Sequence, residues 1–262
     1  LALAIGIIPA RYGSTRFPGK PLAVIAGRPM IEHVWRQASC ARLLDMVAVA
    51  TDDRRIYDRV RGFGGLAVMT SKSHATGTDR IAEALAIIEG RHLDGTRCGK
   101  SEYEIVVNIQ GDEPLVDPRA IDALVQRLRQ DTQAEMATPV CPLKDPRQAR
   151  DPNTVKVALD LKGRALYFSR CPIPFHRQAP GRGIPFYKHI GIYAYRRRFL
   201  DRFRGWGRGR LERAESLEQL RALENGAAVA AVVVPRGWPA VDTPSDLARV
   251  GRLMKGVRTA KR

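Results

Sequence analysis

The sequence predicts an α/β protein, built on a mostly parallel sheet flanked by helices. Three observations carry this. Short apolar runs alternate with amphipathic stretches through the first half of the chain. Several of those stretches open on helix-start residues. No apolar run approaches the ~20 residues that a membrane span needs. Strand–helix–strand alternation implies parallel strands joined by crossovers. At 262 residues, 44% of them hydrophobic and 27% charged, the chain can bury a sizeable core.

The elements read as follows. "LALAIGII" (1–8) is a buried strand. It is short, has no basic segment before it and ends in Pro9, so it is not read as a signal segment. "MVAVAT" (46–51), "GLAVM" (65–69) and "EIVVNIQ" (104–110) are further buried strands. Helical spacing runs from Pro29 to Ala38 and from Thr78 to Glu89, where Ile81, Leu85 and Ile88 share a face. Asp117–Pro118 supplies an N-cap and a first-turn proline for a helix carrying Ile121, Leu124, Val125 and Leu128. In the second half, "MATPVC" (136–141), "TVKVALD" (154–160), "HIGIYAY" (189–195) and "AVAAVVV" (228–234) read as strands. Residues 171–186 are rich in Pro and Gly and read as a long loop. "RLERAESLEQLRALENG" (210–226) reads as one helix that stops at Asn225–Gly226, and "DTPSDLARVGRLM" (242–254) opens a last one. No internal repeat and no dividing linker is visible.

The net charge is +17, from 44 basic and 27 acidic residues. Such a balance fits phosphate or nucleic-acid partners. The basic residues are spread along the chain and cluster tightly only in "YRRRF" (195–199). A small polyanionic substrate is therefore the more economical reading than nucleic acid, and no membrane insertion is expected. Cys40, Cys98, Cys141 and Cys171 form no CxxC pair, so a zinc site is not expected and a reducing cytoplasm is the default.

The chemistry points to the carboxyl ends of the strands, where open α/β sheets bind ligands. "IIPARYGSTRFPGKPL" (7–22) follows the first strand. It holds Arg11, Arg16 and Lys20 with two glycines, and the first acid of the chain is Glu32. A glycine-rich turn with Arg and Lys makes a phosphate cradle. It is neither a Walker A sequence nor a dinucleotide fingerprint. "NIQGDEPLV" (108–116) brings Asp112 to the same rim, with Glu113 expected to point elsewhere. "VDTPSDL" (241–247) brings Asp242, which either caps the last helix or shares a metal with Asp112. "SHATGTDR" (73–80) is a strand-to-helix turn that either holds a base or sugar or simply caps its helix. No Ser/His/Asp or Cys/His arrangement is readable, so covalent catalysis has no basis.

Taken with "RPMIEHV", "VATD", "PNTVKV", "ALYFSR", "KHIGIYAYR" and "LEQLR", these segments resemble the 3-deoxy-manno-octulosonate (Kdo) cytidylyltransferase family from about Ile7 to Arg252. The resemblance implies a Rossmann-like nucleotide-diphosphosugar-transferase fold over 1–262, with a dimerisation and sugar-binding subregion at about 155–225 and a homodimer. It implies an enzyme that joins CTP and Kdo into CMP-Kdo and pyrophosphate, with magnesium, for lipopolysaccharide biosynthesis. By position, Ala10, Arg11, Arg16 and Lys20 would hold CTP, with Arg11 and Lys20 on its phosphates. Thr76, Gly77 and Arg80 would lie near the cytidine. Asp112 and Asp242 would ligate magnesium and, with Arg11 and Lys20, form the catalytic set. Gln110, Arg170, His189, Tyr193, Glu218 and Gln219 would surround Kdo. Alternatives are another acid sugar, such as 8-amino-Kdo or another nonulosonate, or a basic nucleic-acid-binding protein.

Overall fold

The computed structural model describes residues 2–13, 17–74, 76–90, 103–177 and 185–259. These divide into two compact units, one formed by 1–122 with 238–262 and the other by 123–237. The span 155–225 falls inside the second.

The first unit is built on β1 (Ala4–Ala10), followed by a two-residue hairpin, β2 (Val24–Ile25) and β3 (Arg28–Pro29), and α1 (Met30–Ala38). Then come β4 (Met46–Thr51), α2 (Arg54–Gly62), β5 (Leu66–Met69), α3 (Gly77–Ile88) and β6 (Ile105–Asn108), and the unit boundary falls within α4 (Pro118–Gln130). The strand order is β5-β4-β1-β6, all parallel. β1 is central, pairing Ile5 with Met46 on one side and with Val106 on the other. Its Ala4, Ile5, Ile7 and Ile8 are fully buried, as an apolar run covered on both faces must be. The loops that follow β1, β5 and β6 leave from the same, carboxyl edge.

The helix α2 has no counterpart in the sequence reading. Only Ile56 and Val60 of its nine residues are buried, one turn apart, and Asp53 caps it by accepting from Arg55 N at 3.0 Å.

The second unit centres on β7 (Met136–Pro142), followed by β8 (Lys156–Leu159), β9 (Ala165–Ser169), β10 (Tyr187–His189), β11 (Tyr193–Arg196), α5 (Arg197–Gly205), α6 (Arg210–Glu215), α7 (Gln219–Glu224) and β12 (Val229–Val233). Its sheet is mixed: β12 runs parallel to β7, whereas β10 and β11 are antiparallel to it, and β8 is antiparallel to both β9 and β10. The chain ends in α8 (Pro244–Thr259), part of the first unit. This is the α/β class the sequence predicts, parallel in the first unit and mixed in the second.

Two predicted elements are broken. "HIGIYAY" is not one strand but two, β10 and β11. At the break, Ile192 N folds back onto Ile190 O (2.8 Å), and Thr138 Oγ1 sits 3.1 Å from Ile190 O and 2.8 Å from Ile192 O. The Thr138 hydroxyl, with one proton to give, thus stands beside these carbonyls in place of a ladder donor before pairing resumes at Ala194. The 210–226 helix is likewise two, α6 and α7, because Ser216 adopts a left-handed conformation (φ 53°). The corner lets Glu215 reach back: Ser169 Oγ donates to its carboxylate at 2.6 Å and Arg170 N at 2.9 Å. The predicted stop at Asn225–Gly226 stands, with Gly226 at φ 74°.

Candidate active site

At the carboxyl edge of the first unit's sheet lies a cleft of about 300 Å³. Ala10 lines it from the end of β1 and Arg11 from just beyond it, Gln110, Gly111 and Asp112 from the loop after β6, Thr76, Gly77 and Arg80 from the start of α3, and Lys20 and Asp242 from their loops. Nearly all the predicted nucleotide and metal residues therefore meet in one place; Arg16 lies outside the described residues. The reading missed Pro9, Pro21, His74 and Gly111, which line the same cleft.

Gly111 is there for space. A Cβ on it would stand 2.9 Å from the Pro9 carbonyl oxygen, a backbone atom that cannot swing away. Gly111→Ala is expected to push the two rims apart, costing about 1–3 kcal/mol of stability. Thermal melts and a CTP titration check this, and the loss of CTP binding should exceed what unfolding explains.

The floor of the cleft is ionic. Lys20 Nζ lies 2.7 Å from Asp112 Oδ2 and 3.3 Å from Asp242 Oδ1. The opening loop's cations are thus not all without counter-charge: Lys20 finds two carboxylates, 92 and 222 residues away along the chain. Val241 N donates to Asp112 O at 2.9 Å and ties the two acid-bearing segments together. Asp242 is not the helix cap. Thr243 fills that role, accepting from Asp246 N at 3.2 Å, while Asp246 reaches back to the N–H groups of Asp242 and Thr243 in a capping box. The Thr243 hydroxyl and these N–H groups hold the Asp246 carboxyl below its ordinary range. Glu113 does point elsewhere, buried and accepting from Trp238 Nε1 at 2.7 Å.

Asp112 and Asp242 suit a divalent ion. They already hold a cation, the Lys20 ammonium, between them. Among the described residues no group of three or more acidic, His or Cys side chains forms a closed metal cage. Two carboxylates completed by phosphate oxygens and water is the usual arrangement for magnesium on a nucleotide.

The start of α3 has a structural duty as well. Thr76 caps it, accepting from Asp79 N at 3.1 Å. Arg80 is buried, and its guanidinium is engaged by Thr70 Oγ1 at 2.6 Å and Asp52 at 2.9 Å. His74 contacts Glu83 closely through Nε2. Burial pushes the Glu83 carboxyl up, but the His74 hydrogen bond and Ser71 N–H outweigh it and leave it below the ordinary range.

The other predicted sugar residues belong to the second unit, while Gln110 lies in the first. His189 packs on Tyr193, ring centroids 5.4 Å apart, and Tyr193 Oη donates to Gln219 Oε1 at 3.2 Å. Glu218 precedes Gln219 at the start of α7. The Arg170 guanidinium donates to the carbonyls of Glu215 (2.7 Å), beside the Ser216 corner, and Pro152 (2.8 Å), so much of its hydrogen-bonding capacity goes to the main chain.

His189 is buried, with Nε2 3.0 Å from Thr138 Oγ1. Burial, helped by Lys188, pushes its imidazole down to about 3. An unfolded histidine takes up its proton near pH 6.5, whereas the folded one stays neutral. His189 therefore costs no stability above pH 6.5, and its contribution lowers stability as pH falls toward 3, by about 1.4 kcal/mol per pH unit at most. His189→Gln is expected to flatten that slope in urea unfolding between pH 7 and pH 5.

Fold and cleft together define a nucleotidyltransferase of the cytidylyltransferase class; residues 5–230 match the cytidylyltransferase family, and the chain belongs to it. Its relatives narrow this further. A 3-deoxy-manno-octulosonate cytidylyltransferase of Syntrophobacter fumaroxidans is 51% identical over 246 residues, 94% of each chain. An 8-amino-3,8-dideoxy-manno-octulosonate cytidylyltransferase of Shewanella pealeana is 49% identical over 242 residues, 92% of this chain and 94% of the relative. Among solved structures, a CMP:2-keto-3-deoxy-manno-octonic acid synthetase complexed with CTP matches with a TM-score of 0.89 and 41% identity, over 97% of this chain and 99% of that one. The 4-diphosphocytidyl-2C-methyl-D-erythritol synthase of Anaerococcus prevotii, at 14% identity and a TM-score of 0.62 over 97% of this chain and 99% of that one, shares the fold.

Proposed function

We propose that this chain transfers CMP from CTP to the anomeric hydroxyl of Kdo, releasing pyrophosphate, and so supplies CMP-Kdo for lipopolysaccharide biosynthesis. The observation that carries the reading is the ionic floor of the cleft: Lys20 between Asp112 and Asp242, with Arg11 on the rim. The names and the CTP-bound state of the similar proteins support it.

The chemistry needs positioning and charge more than covalent help. Kdo and CTP are both anions, so their approach must be offset by cations. Arg11 presents a fork to phosphate oxygens, and Lys20 a mobile point charge. The anomeric oxygen attacks the α-phosphorus, the bond to the bridging oxygen of pyrophosphate breaks in line, and the hydroxyl proton passes to solvent. Magnesium, when held by Asp112 and Asp242, would neutralise charge on the phosphate oxygens. On this reading Arg170, His189, Tyr193, Glu218 and Gln219 shape the sugar site, with Gln110 beside the nucleotide. A homodimer working in the cytoplasm completes it, and no described helix is long and apolar enough to cross a membrane.

The second reading, an 8-amino-Kdo substrate, is favoured by the Shewanella relative. Pyrophosphate release from CTP with Kdo, 8-amino-Kdo or a sialic acid, with and without magnesium, tests both. Magnesium-dependent release with Kdo is expected. Turnover with only one of the other two sugars would overturn the substrate assignment.

A further inference from the structure

We propose that the Lys20 ammonium is a resident counter-ion of the metal-binding carboxylates, which leaves them for the nucleotide's phosphates when the metal arrives. Metal and triphosphate then bind as a coupled pair, and the bare protein holds metal weakly. The proposal rests on the nucleotidyl-transfer reading above.

The backbone at Lys20 is held in place by its neighbours, and the charge sits at the end of a long stem. Gly19 precedes it with φ 70°, where a Cβ would stand 3.1 Å from the Tyr12 ring. Gly19 N donates to Tyr12 O at 3.0 Å, Lys20 N donates to Phe17 O at 3.2 Å, and Pro21 follows. Phe17 is itself packed against the cluster of Ile25, Met30, Val241 and Val250. From this anchor a flexible four-carbon stem carries the charge.

The ammonium lies within 3.3 Å of both carboxylates, and its side chain is 14% exposed against 29% for Asp112 and 46% for Asp242. It bridges the two carboxylates and is less exposed than either. A second cation entering there meets both its bulk and its charge. A triphosphate in the same cleft offers the ammonium a stronger anion, and the carboxylates then open to the metal. Linkage requires the converse: bound metal must favour bound triphosphate by the same factor. Arg at this position would keep the charge, but its rigid fork would not make the exchange as readily.

The test is a Mn²⁺ titration, followed by the electron paramagnetic resonance of free Mn²⁺, on wild type, Lys20→Met and Asp112→Asn. Each is run without nucleotide and with α,β-methylene CTP. Without nucleotide, Lys20→Met is expected to bind Mn²⁺ roughly tenfold tighter than wild type, within the usual range of site-to-site coupling. The analogue should then tighten Mn²⁺ far less in the variant. Lys20→Gln repeats the measurement if the Met variant fails to fold. Should neither variant bind Mn²⁺ more tightly than wild type while Asp112→Asn loses it, the counter-ion role is wrong and the metal reading stands. If Asp112→Asn binds Mn²⁺ like wild type with the analogue present, the metal reading fails and takes the proposal with it.

Discussion

Asp112→Asn is expected to leave the protein folded and to lower kcat at saturating CTP by about 10²–10³-fold, the usual loss when one preorganised charge-stabilising group is removed. The change is isosteric, and the tie from Val241 N runs to the Asp112 main-chain oxygen, so the segment keeps its place. What disappears is half the negative charge that seats Lys20 and the proposed metal. Asparagine can still accept a hydrogen bond from the ammonium, but a neutral oxygen neither binds a divalent ion comparably nor holds the lysine as firmly. The neighbouring acid is the control. Glu113 is buried and committed to Trp238, so Glu113→Gln should lower the melting temperature and spare turnover. Pyrophosphate release over a magnesium titration reads both variants. Near-normal turnover in Asp112→Asn, at ordinary magnesium, would remove the catalytic role given to this carboxylate.

The contrast between these neighbours shows which parts of the molecule local sequence can reveal. A strand buried on both faces is written in consecutive apolar residues, so 46–51 was legible to the residue. The cationic loop after β1 was legible for the opposite reason, since uncompensated charge at a strand end is a local fact. That Asp112 and Asp242 share its rim was legible from their own places at strand ends, but their pairing with Lys20 was not, because that contact exists only through the fold. The same limit explains Ser216. "ESLEQL" has helical composition, and the turn at Ser216 goes with a tether from Glu215 to Ser169 and Arg170, 46 and 45 residues away. Helix α2 escaped because only two of its residues face the core, too few to show a period. Gly111 and His74 lay in segments already singled out, yet their place on the cleft wall depends on Pro9 and Glu83 beside them.

Glu212→Ala is expected to lower unfolding stability by about 3–5 kcal/mol, the cost of stranding one member of a buried ion pair. Arg221 grips Glu212 with two parallel bonds, Nε at 2.7 Å and Nη2 at 2.8 Å. The side chains are only 4% and 8% exposed. Burial pushes the Glu212 carboxyl up, but Arg221 more than offsets this and holds it below its ordinary range. The guanidinium also lies over the Phe203 ring, 4.8 Å from its centroid, so it cannot turn to water without leaving that contact. Glu218, 3.7 Å away, offers charge without a short hydrogen bond. Without Glu212, Arg221 should draw Glu218 toward itself and disturb the first turn of α7. Gln219 there receives the Tyr193 hydroxyl, so the proposed sugar site should loosen and KM for Kdo rise more than KM for CTP. The double variant Glu212→Leu with Arg221→Met separates charge from packing, because replacing both partners by apolar groups is often close to neutral. Urea unfolding should show most of the single variant's loss recovered in the double. A double variant as unstable as the single would mean that shape, not an unpaired charge, is what α6 and α7 require at this contact.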